Sequence, residues 1–303
     1  MSWSTADIPD LTGRRAVVTG ATSGLGYQTA LELLRHGAEV IVAARNPEKS
    51  ARAAAELAAA SNRDIPRVLD LDLSDLSSVE KAAVQLTEPL DLLVNNAGVM
   101  ATPYRQTADG FELQVGTNHL GHFAFTARLL PLLLRSEHPR VVTVSSFVHK
   151  SARGISQADF KAENGYRKWD AYGKSKLANL LFMLELDRRA RSAGSNLLSA
   201  GAHPGYAQTH LQTTGPQLGG ANLQARVLSL GTRLLAQSAA AGAMPTLYAA
   251  TWPDVRPGTY VGPRFLEQRG APKVVQPSKT AQDLELAKRL WDWSVEATGV
   301  NLF

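Results

Sequence analysis

Tyr172 and Lys176 stand four residues apart in the stretch WDAYGKSKLANLLF, at the start of an apolar helical pattern. On a helix that spacing puts the phenol and the ammonium on one face, one turn apart. A cation beside a phenol favours the phenolate and lowers its pKa. A phenol tuned in that way passes protons near neutral pH, as a general acid or base does. The pair alone recurs by chance in ordinary helices, so its meaning depends on what else converges on it.

A second chemical motif lies near the start of the chain. TGATSGLG, residues 19–26, spaces Gly20, Gly24 and Gly26 as GxxxGxG between a predicted strand and a predicted helix. Glycines there let backbone N–H groups approach a pyrophosphate at a helix N-terminus. Thr22 and Ser23 add hydroxyl donors, and Leu25 completes the turn. An NAD site usually ends its second strand with an acidic residue that holds the ribose hydroxyls. Here that strand ends VAARN, with Ala44 in the acidic slot and Arg45 after it. A guanidinium matches a 2′-phosphate, so the expected cofactor is NADP(H); the alternative is an ordinary surface arginine. Asp72, followed by Leu73 after the third strand, is a candidate for the adenine edge or else a loop or helix-capping aspartate.

Other polar groups fall at the ends of later strands. NNAG brings Asn96, Ala97 and Gly98 to the end of the fourth, and VTVSSFVH brings Ser145 and Ser146 to the end of the fifth. HPGYAQT brings Pro204, Gly205 and Thr209 to the end of the sixth, while Asn118 sits inside the helical stretch GTNHLGHF. In a doubly wound sheet, strand ends of this kind line one crevice.

The elements that must position these residues alternate regularly. RRAVVTG, EVIVAAR, PRVLDLDL, LDLLVNNAG, RVVTVSS and NLLSAGA read as strands, and GTYVGP as a late seventh. Helical patterns lie between them, including a long one from about Gly110 to Leu134. The expected fold class is α/β: a single Rossmann-type, doubly wound parallel sheet of about seven strands with helices on both faces. No linker or repeat divides it, so residues 1–303 read as one dinucleotide-binding domain. The stretch 206–241 interrupts the alternation and reads as a substrate lid. Its basic amphipathic core, QARVLSLGTRLLAQ, leaves peripheral membrane contact open.

Composition narrows the classes further. A net charge of +5 is spread thinly over 303 residues, which suits an anionic small molecule better than nucleic acid. There is no cysteine, so disulfides, thiolate zinc sites and thiol catalysis are excluded. The opening residues carry no signal-peptide pattern and no stretch is long and apolar enough for a span, so a cytoplasmic protein is expected. His119 and His122 lie three residues apart without a third ligand at a compelling spacing, so no metal is expected.

TGATSGLG, NNAG, Asn118, Ser146, YGKSK and HPG, in this order, together resemble the short-chain dehydrogenase/reductase family over nearly the whole chain. TADGFELQVGTNHLGHFAFT, GAMPTLYAATWPDVRPGTYVGP and AKRLWDWS resemble its retinol-dehydrogenase-like branch. The resemblance implies a catalytic tetrad of Asn118, Ser146, Tyr172 and Lys176. In it Tyr172 exchanges the proton, Ser146 binds the substrate oxygen, Lys176 lowers the phenol pKa and holds the nicotinamide ribose, and Asn118 positions a relay water. It implies a small-molecule carbonyl/alcohol substrate and leaves homo-oligomerisation open. The rival reading is a non-catalytic NADP(H)-sensing protein, for which the Tyr-Lys pair would have no use.

Overall fold

The computed structural model describes residues 3–205 and 237–303. Eight strands form one sheet in the order β3-β2-β1-β4-β5-β6-β7-β8. They are β1 (Arg15–Thr19), β2 (Glu39–Ala44), β3 (Arg67–Asp70), β4 (Leu92–Asn95), β5 (Arg140–Val144), β6 (Leu198–Ala202), β7 (Tyr260–Phe265) and β8 (Arg269–Val274). β1 to β7 pair in parallel and β8 returns antiparallel to β7. The order reverses between β1 and β4, the switch point at which doubly wound sheets open a ligand crevice.

The helices are α1 (Gly24–Arg35), α2 (Pro47–Ser61), α3 (Leu76–Val84), α4 (Leu113–Val115), α5 (Gly121–Leu133), α6 (Lys168–Ser192), α7 (Ala239–Thr251) and α8 (Leu284–Thr298). Alternation along each strand separates the core into layers. Val17, Ile41, Leu69, Leu93 and Val141 face α3 and α5, whereas Val18, Val40, Val42, Val94 and Val142 face α1 and α7. Both faces are dry, which is why the central strands read as continuous apolar runs. α8 closes the outer side of the first layer. Its Trp291 packs on Phe123 of α5 and Phe182 of α6, with the Arg189 guanidinium 4.4 Å over its ring.

Two elements differ from the expectation. The eighth strand, RGAPKV, is an edge strand with exposed or half-buried side chains, so it carries no apolar alternation to read. The long helix expected from Gly110 to Leu134 is divided. α4 is one short turn, Gly116–Leu120 winds as a π-helix, and α5 follows. Such π turns are frequent at functional sites, and this one carries Asn118. Among the described residues no helix is long and apolar enough to cross a membrane. Of the expected lid, residues 206–236 lie outside the described residues, and α7 already begins at Ala239.

Candidate active site

The glycine loop joins β1 to α1 with Gly20 and Gly24 at φ of +67° and +58°, which favour glycine. Gly26 packs so tightly that a Cβ there would strike the Gly20 carbonyl and the Asn96 amide. α1 starts at Gly24 with no acidic residue in its first turn, and the Ser23 side chain leaves its N–H groups uncapped. Thr22 is half-buried, Ser23 exposed and Leu25 buried. An uncapped twelve-residue helix behind a glycine turn suits a phosphate, so the loop fits a dinucleotide. Arg45 is exposed directly after β2 and makes no ion pair among the described residues.

Asp72 is bonded within its own loop. Its Oδ1 accepts from the backbone N–H and the hydroxyl of Ser74, at 2.9 and 2.6 Å. Leu73 is buried in the core, and its carbonyl lies against Gly121. Asn96 is fixed to β1: its Nδ2 donates to the Thr19 carbonyl at 2.7 Å and its N–H to Thr19 Oγ1 at 2.9 Å. The Ala97 N–H donates to the same hydroxyl at 2.9 Å. The Pro204 carbonyl accepts from Gln237, and Gly205 follows at φ +67° against the backbone of Gln268. Thr209 lies outside the described residues.

The remaining groups meet around the end of β5. Tyr172 and Lys176 are both buried on α6, with Lys176 Nζ 5.9 Å from the centre of the Tyr172 ring. Lys176 Nζ and Asn179 Nδ2 both donate to the Val144 carbonyl, at 3.1 and 3.0 Å. Ser145 Oγ donates back to the Lys176 carbonyl at 2.8 Å, so Ser145 is structural. Ser146 caps the short helical turn Phe147–Ser151 and is half-buried. His149 donates from Nδ1 to the Ser146 carbonyl at 2.7 Å and accepts at Nε2 from the Ser278 N–H at 3.1 Å, which pins the serine loop.

The Asn118 side chain is fully engaged. Its Nδ2 donates to the Val99 carbonyl and to Ser175 Oγ, both at 2.9 Å, and its Oδ1 accepts from the Val99 N–H at 2.7 Å. Both amide hydrogens are therefore committed, and the side chain joins the loop after NNAG to α6. The phenol pKa also differs from expectation. Burial pushes Tyr172 up to about 12, although the Ser146 hydroxyl pulls the other way. Burial pushes Lys176 down to about 8. Both groups shift towards their neutral forms, because desolvation of the pair outweighs the attraction between cation and phenolate. The two histidines set aside as metal ligands are occupied: His119 Nε2 pairs with Ser294 Oγ at 2.8 Å, and His122 with Asn118 and Thr19.

A doubly wound sheet with a glycine turn at its first strand and a Tyr-Lys pair beside a serine at its fifth defines a dinucleotide-dependent oxidoreductase. A sequence model described as short chain dehydrogenase matches residues 14–217. The chain belongs to the short-chain dehydrogenase/reductase family, in its retinol-dehydrogenase-like branch. It is 39% identical to mouse retinol dehydrogenase 14 over 95% of this chain and 86% of that one. The crystal structure of an uncharacterised Mycobacterium paratuberculosis protein is 42% identical with a TM-score of 0.83, covering 100% of both chains. A Shigella flexneri short chain dehydrogenase complexed with NADP is 25% identical with a TM-score of 0.62, covering 83% of this chain and 97% of that one.

Sequence reasoning missed Thr19, His122, Ser175 and Asn179, which hold the site together. A signal for two of them existed. Ser175 and Asn179 are polar residues inside the apolar run of a helix, and buried polar groups need partners.

The lysine yields a prediction for the nucleotide-free protein. Its folded pKa of about 8 lies below the ordinary lysine value of 10.5, so the unfolded chain binds more protons between those values. Stability therefore rises with pH across that window, and below it the folded protein carries the whole cost of the buried ammonium. Lys176→Met, which leaves Asn179 on the Val144 carbonyl, is expected to raise stability at pH 7 by up to about 3 kcal/mol. The gain should fade to nothing near pH 10.5. Denaturant titrations at several pH values test this, and a variant no more stable than the parent at pH 7 refutes it.

Proposed function

We propose that this protein interconverts a carbonyl and an alcohol by NADP(H)-dependent hydride transfer, acting on a bulky apolar aldehyde or ketone. The observation that carries the proposal is the meeting of Tyr172, Lys176 and Ser146 at the sheet edge that also bears the glycine loop. We read the whole chain as one oxidoreductase domain, since a single sheet runs through the described residues.

When bound, the nicotinamide supplies or takes the hydride. The protein binds, orients and moves the proton. The glycine loop and the N-terminus of α1 hold the pyrophosphate. Arg45, exposed directly after β2, would pair with a 2′-phosphate, and Ala44 offers no carboxylate to repel it. NADP in the Shigella flexneri relative supports this choice. Lys176 holds the nicotinamide ribose. Burial keeps the Tyr172 phenol protonated at neutral pH, the form that gives a proton to a carbonyl oxygen as that oxygen takes on charge. The Ser146 hydroxyl donates to the same oxygen. Asn118 keeps the Val99 loop and α6 in register.

The substrate class follows from the residues beside this group. Phe147 adjoins Ser146 and is 38% exposed, and Trp169, one turn before Tyr172, is 51% exposed. The Trp169 ring centre lies 6.3 Å from that of Tyr172, edge to face. Aromatic surface at the reacting hydroxyl suits an apolar carbonyl compound, as does the name of the mouse relative.

Tyr172→Phe is expected to cut turnover by roughly 10²–10⁴-fold, the scale of a lost general acid, while NADPH affinity stays near the parent value. Near-parental turnover would remove Tyr172 from the mechanism. NADPH should bind about one to two decades more tightly than NADH, the worth of a charge-assisted contact, and Arg45→Ala should erase most of that ratio. Titration with both nucleotides decides it; tighter NADH binding refutes the NADP(H) assignment. Across straight-chain aldehydes kcat/KM should rise about fourfold per added CH₂ where the chain is fully buried. A flat series excludes a bulky apolar substrate.

A further inference from the structure

We propose that His122 is a positioning residue for the reaction, tying Thr19, on which the loop after β4 rests, to the backbone of Asn118, whose side chain in turn holds α6 at Tyr172. The direction of each bond follows from donor and acceptor chemistry. His122 Nδ1 lies 3.0 Å from the Asn118 carbonyl oxygen, which can only accept, so Nδ1 carries the proton. In the neutral ring Nε2 is then an acceptor, and its partner is Thr19 Oγ1 at 2.9 Å. The ring is neutral because burial pushes its pKa down to about 4, with the Lys176 charge adding to the effect. Thr19 has one hydrogen to give. The Val94 carbonyl lies farther away, at 3.3 Å, and a bare Nε2 lone pair in a dry site needs that hydrogen.

The chain extends at both ends. Thr19 Oγ1 accepts from the N–H groups of Asn96 and Ala97, each at 2.9 Å. At the far end the Asn118 side chain donates to Ser175 Oγ at 2.9 Å, and that hydroxyl donates to the Tyr172 carbonyl at 2.8 Å. Two runs of bonds therefore meet at Asn118, one from NNAG through Thr19 and His122 to its backbone carbonyl, the other from its side-chain amide through Ser175 to the Tyr172 carbonyl, so His122 holds the backbone from which the second run starts. His122 is 1% exposed and Asn118 and Thr19 are 0% exposed, so water cannot replace a missing link. The histidine sits in the first turn of α5, directly after the π-helix, where its ring spans to β1. The Asn118 side chain is held to the NNAG loop through Val99, whereas His122 holds its backbone to Thr19.

The kinetic part of this inference rests on the oxidoreductase reading. His122→Asn keeps a donor near the Nδ1 position and drops the Thr19 link, and Thr19→Val drops the same link together with the acceptor of the Asn96 and Ala97 N–H groups. At saturating NADPH and decanal each is expected to lower kcat about tenfold, the worth of one buried hydrogen bond, with the KM for decanal unchanged. The double variant should be no slower than Thr19→Val alone, because Thr19→Val already cuts the link that His122→Asn removes. Losses that multiply to about a hundredfold, or variants that lose thermal stability but keep the parental kcat, would overturn the proposal. If His122→Asn does not fold, His122→Gln keeps an acceptor for Thr19 and loses Asn118, and it is subject to the same kinetic criterion. If the parent protein reduces no aldehyde, the functional reading fails by itself. NADPH affinity by fluorescence titration then decides: a shared, non-multiplying loss in His122→Asn and Thr19→Val supports the chain, and parental affinity in His122→Asn overturns it.

Discussion

The Val144 carbonyl is the point on which the site depends. It ends β5 in the middle of the sheet and accepts from two residues of α6, Lys176 and Asn179, while Ser145 returns a bond to the Lys176 carbonyl. These bonds cross a contact that excludes water, where an unmade partner costs more than a made one gains. They therefore fix the rotation of α6 as well as its distance from the strand. Tyr172 lies one turn before Lys176, and Ser146 lies two residues after Val144, so their separation is set by this clamp. β5 is itself held between β4 and β6, and α8 presses on the far side of α6 through Trp291.

That clamp is made with a charged group, which has a consequence for the chemistry. An ammonium inside a dry contact is destabilised, and so is a phenolate beside it. The spacing of Tyr172 and Lys176 shows only that the two are neighbours; it does not show how much water surrounds them. The attraction that would lower the phenol pKa and the burial that raises it come from the same packing. In the folded chain burial is larger for both residues. Burial favours the protonated tyrosine and the neutral lysine, and the buried ammonium costs stability.

This marks how far the sequence could be read. Six of the seven expected strands carry buried β-rich runs, and their ends marked the crevice because in a parallel sheet all carboxyl ends lie together. Tyr172, Lys176, Ser146 and the glycine loop were legible because their chemistry depends on residue type and local spacing. β8 was not, since an exposed edge strand has no periodicity. The π turn at Asn118 was not, since GTNHLGHF has the same apolar spacing in either winding. Asn118 was found, but the partners of its amide, Val99 and Ser175, were not, since they lie 19 and 57 residues away in sequence. Asp72 was found with its roles left open, and Ser74, two residues on, takes its carboxylate.

The glycines show how the two halves of the site constrain each other. Gly98 ends NNAG, and read as sequence it serves the nucleotide. In the fold an added Cβ there would come within 2.9 Å of Asn118 Oδ1 and 3.5 Å of Lys176 Nζ. Gly26 is needed for a parallel reason, because a side chain would push Asn96 off the Gly20 turn. One glycine thus lets the Asn118 and Lys176 groups approach the end of β4, and the other lets the end of β4 approach α1. A larger residue at either place would separate loops that otherwise touch, even if the local turn kept its shape. The spacing of these glycines therefore reflects contact between distant segments as much as backbone freedom, and the same contacts bring the glycine turn, the end of β4 and the Asn118 and Lys176 side chains together.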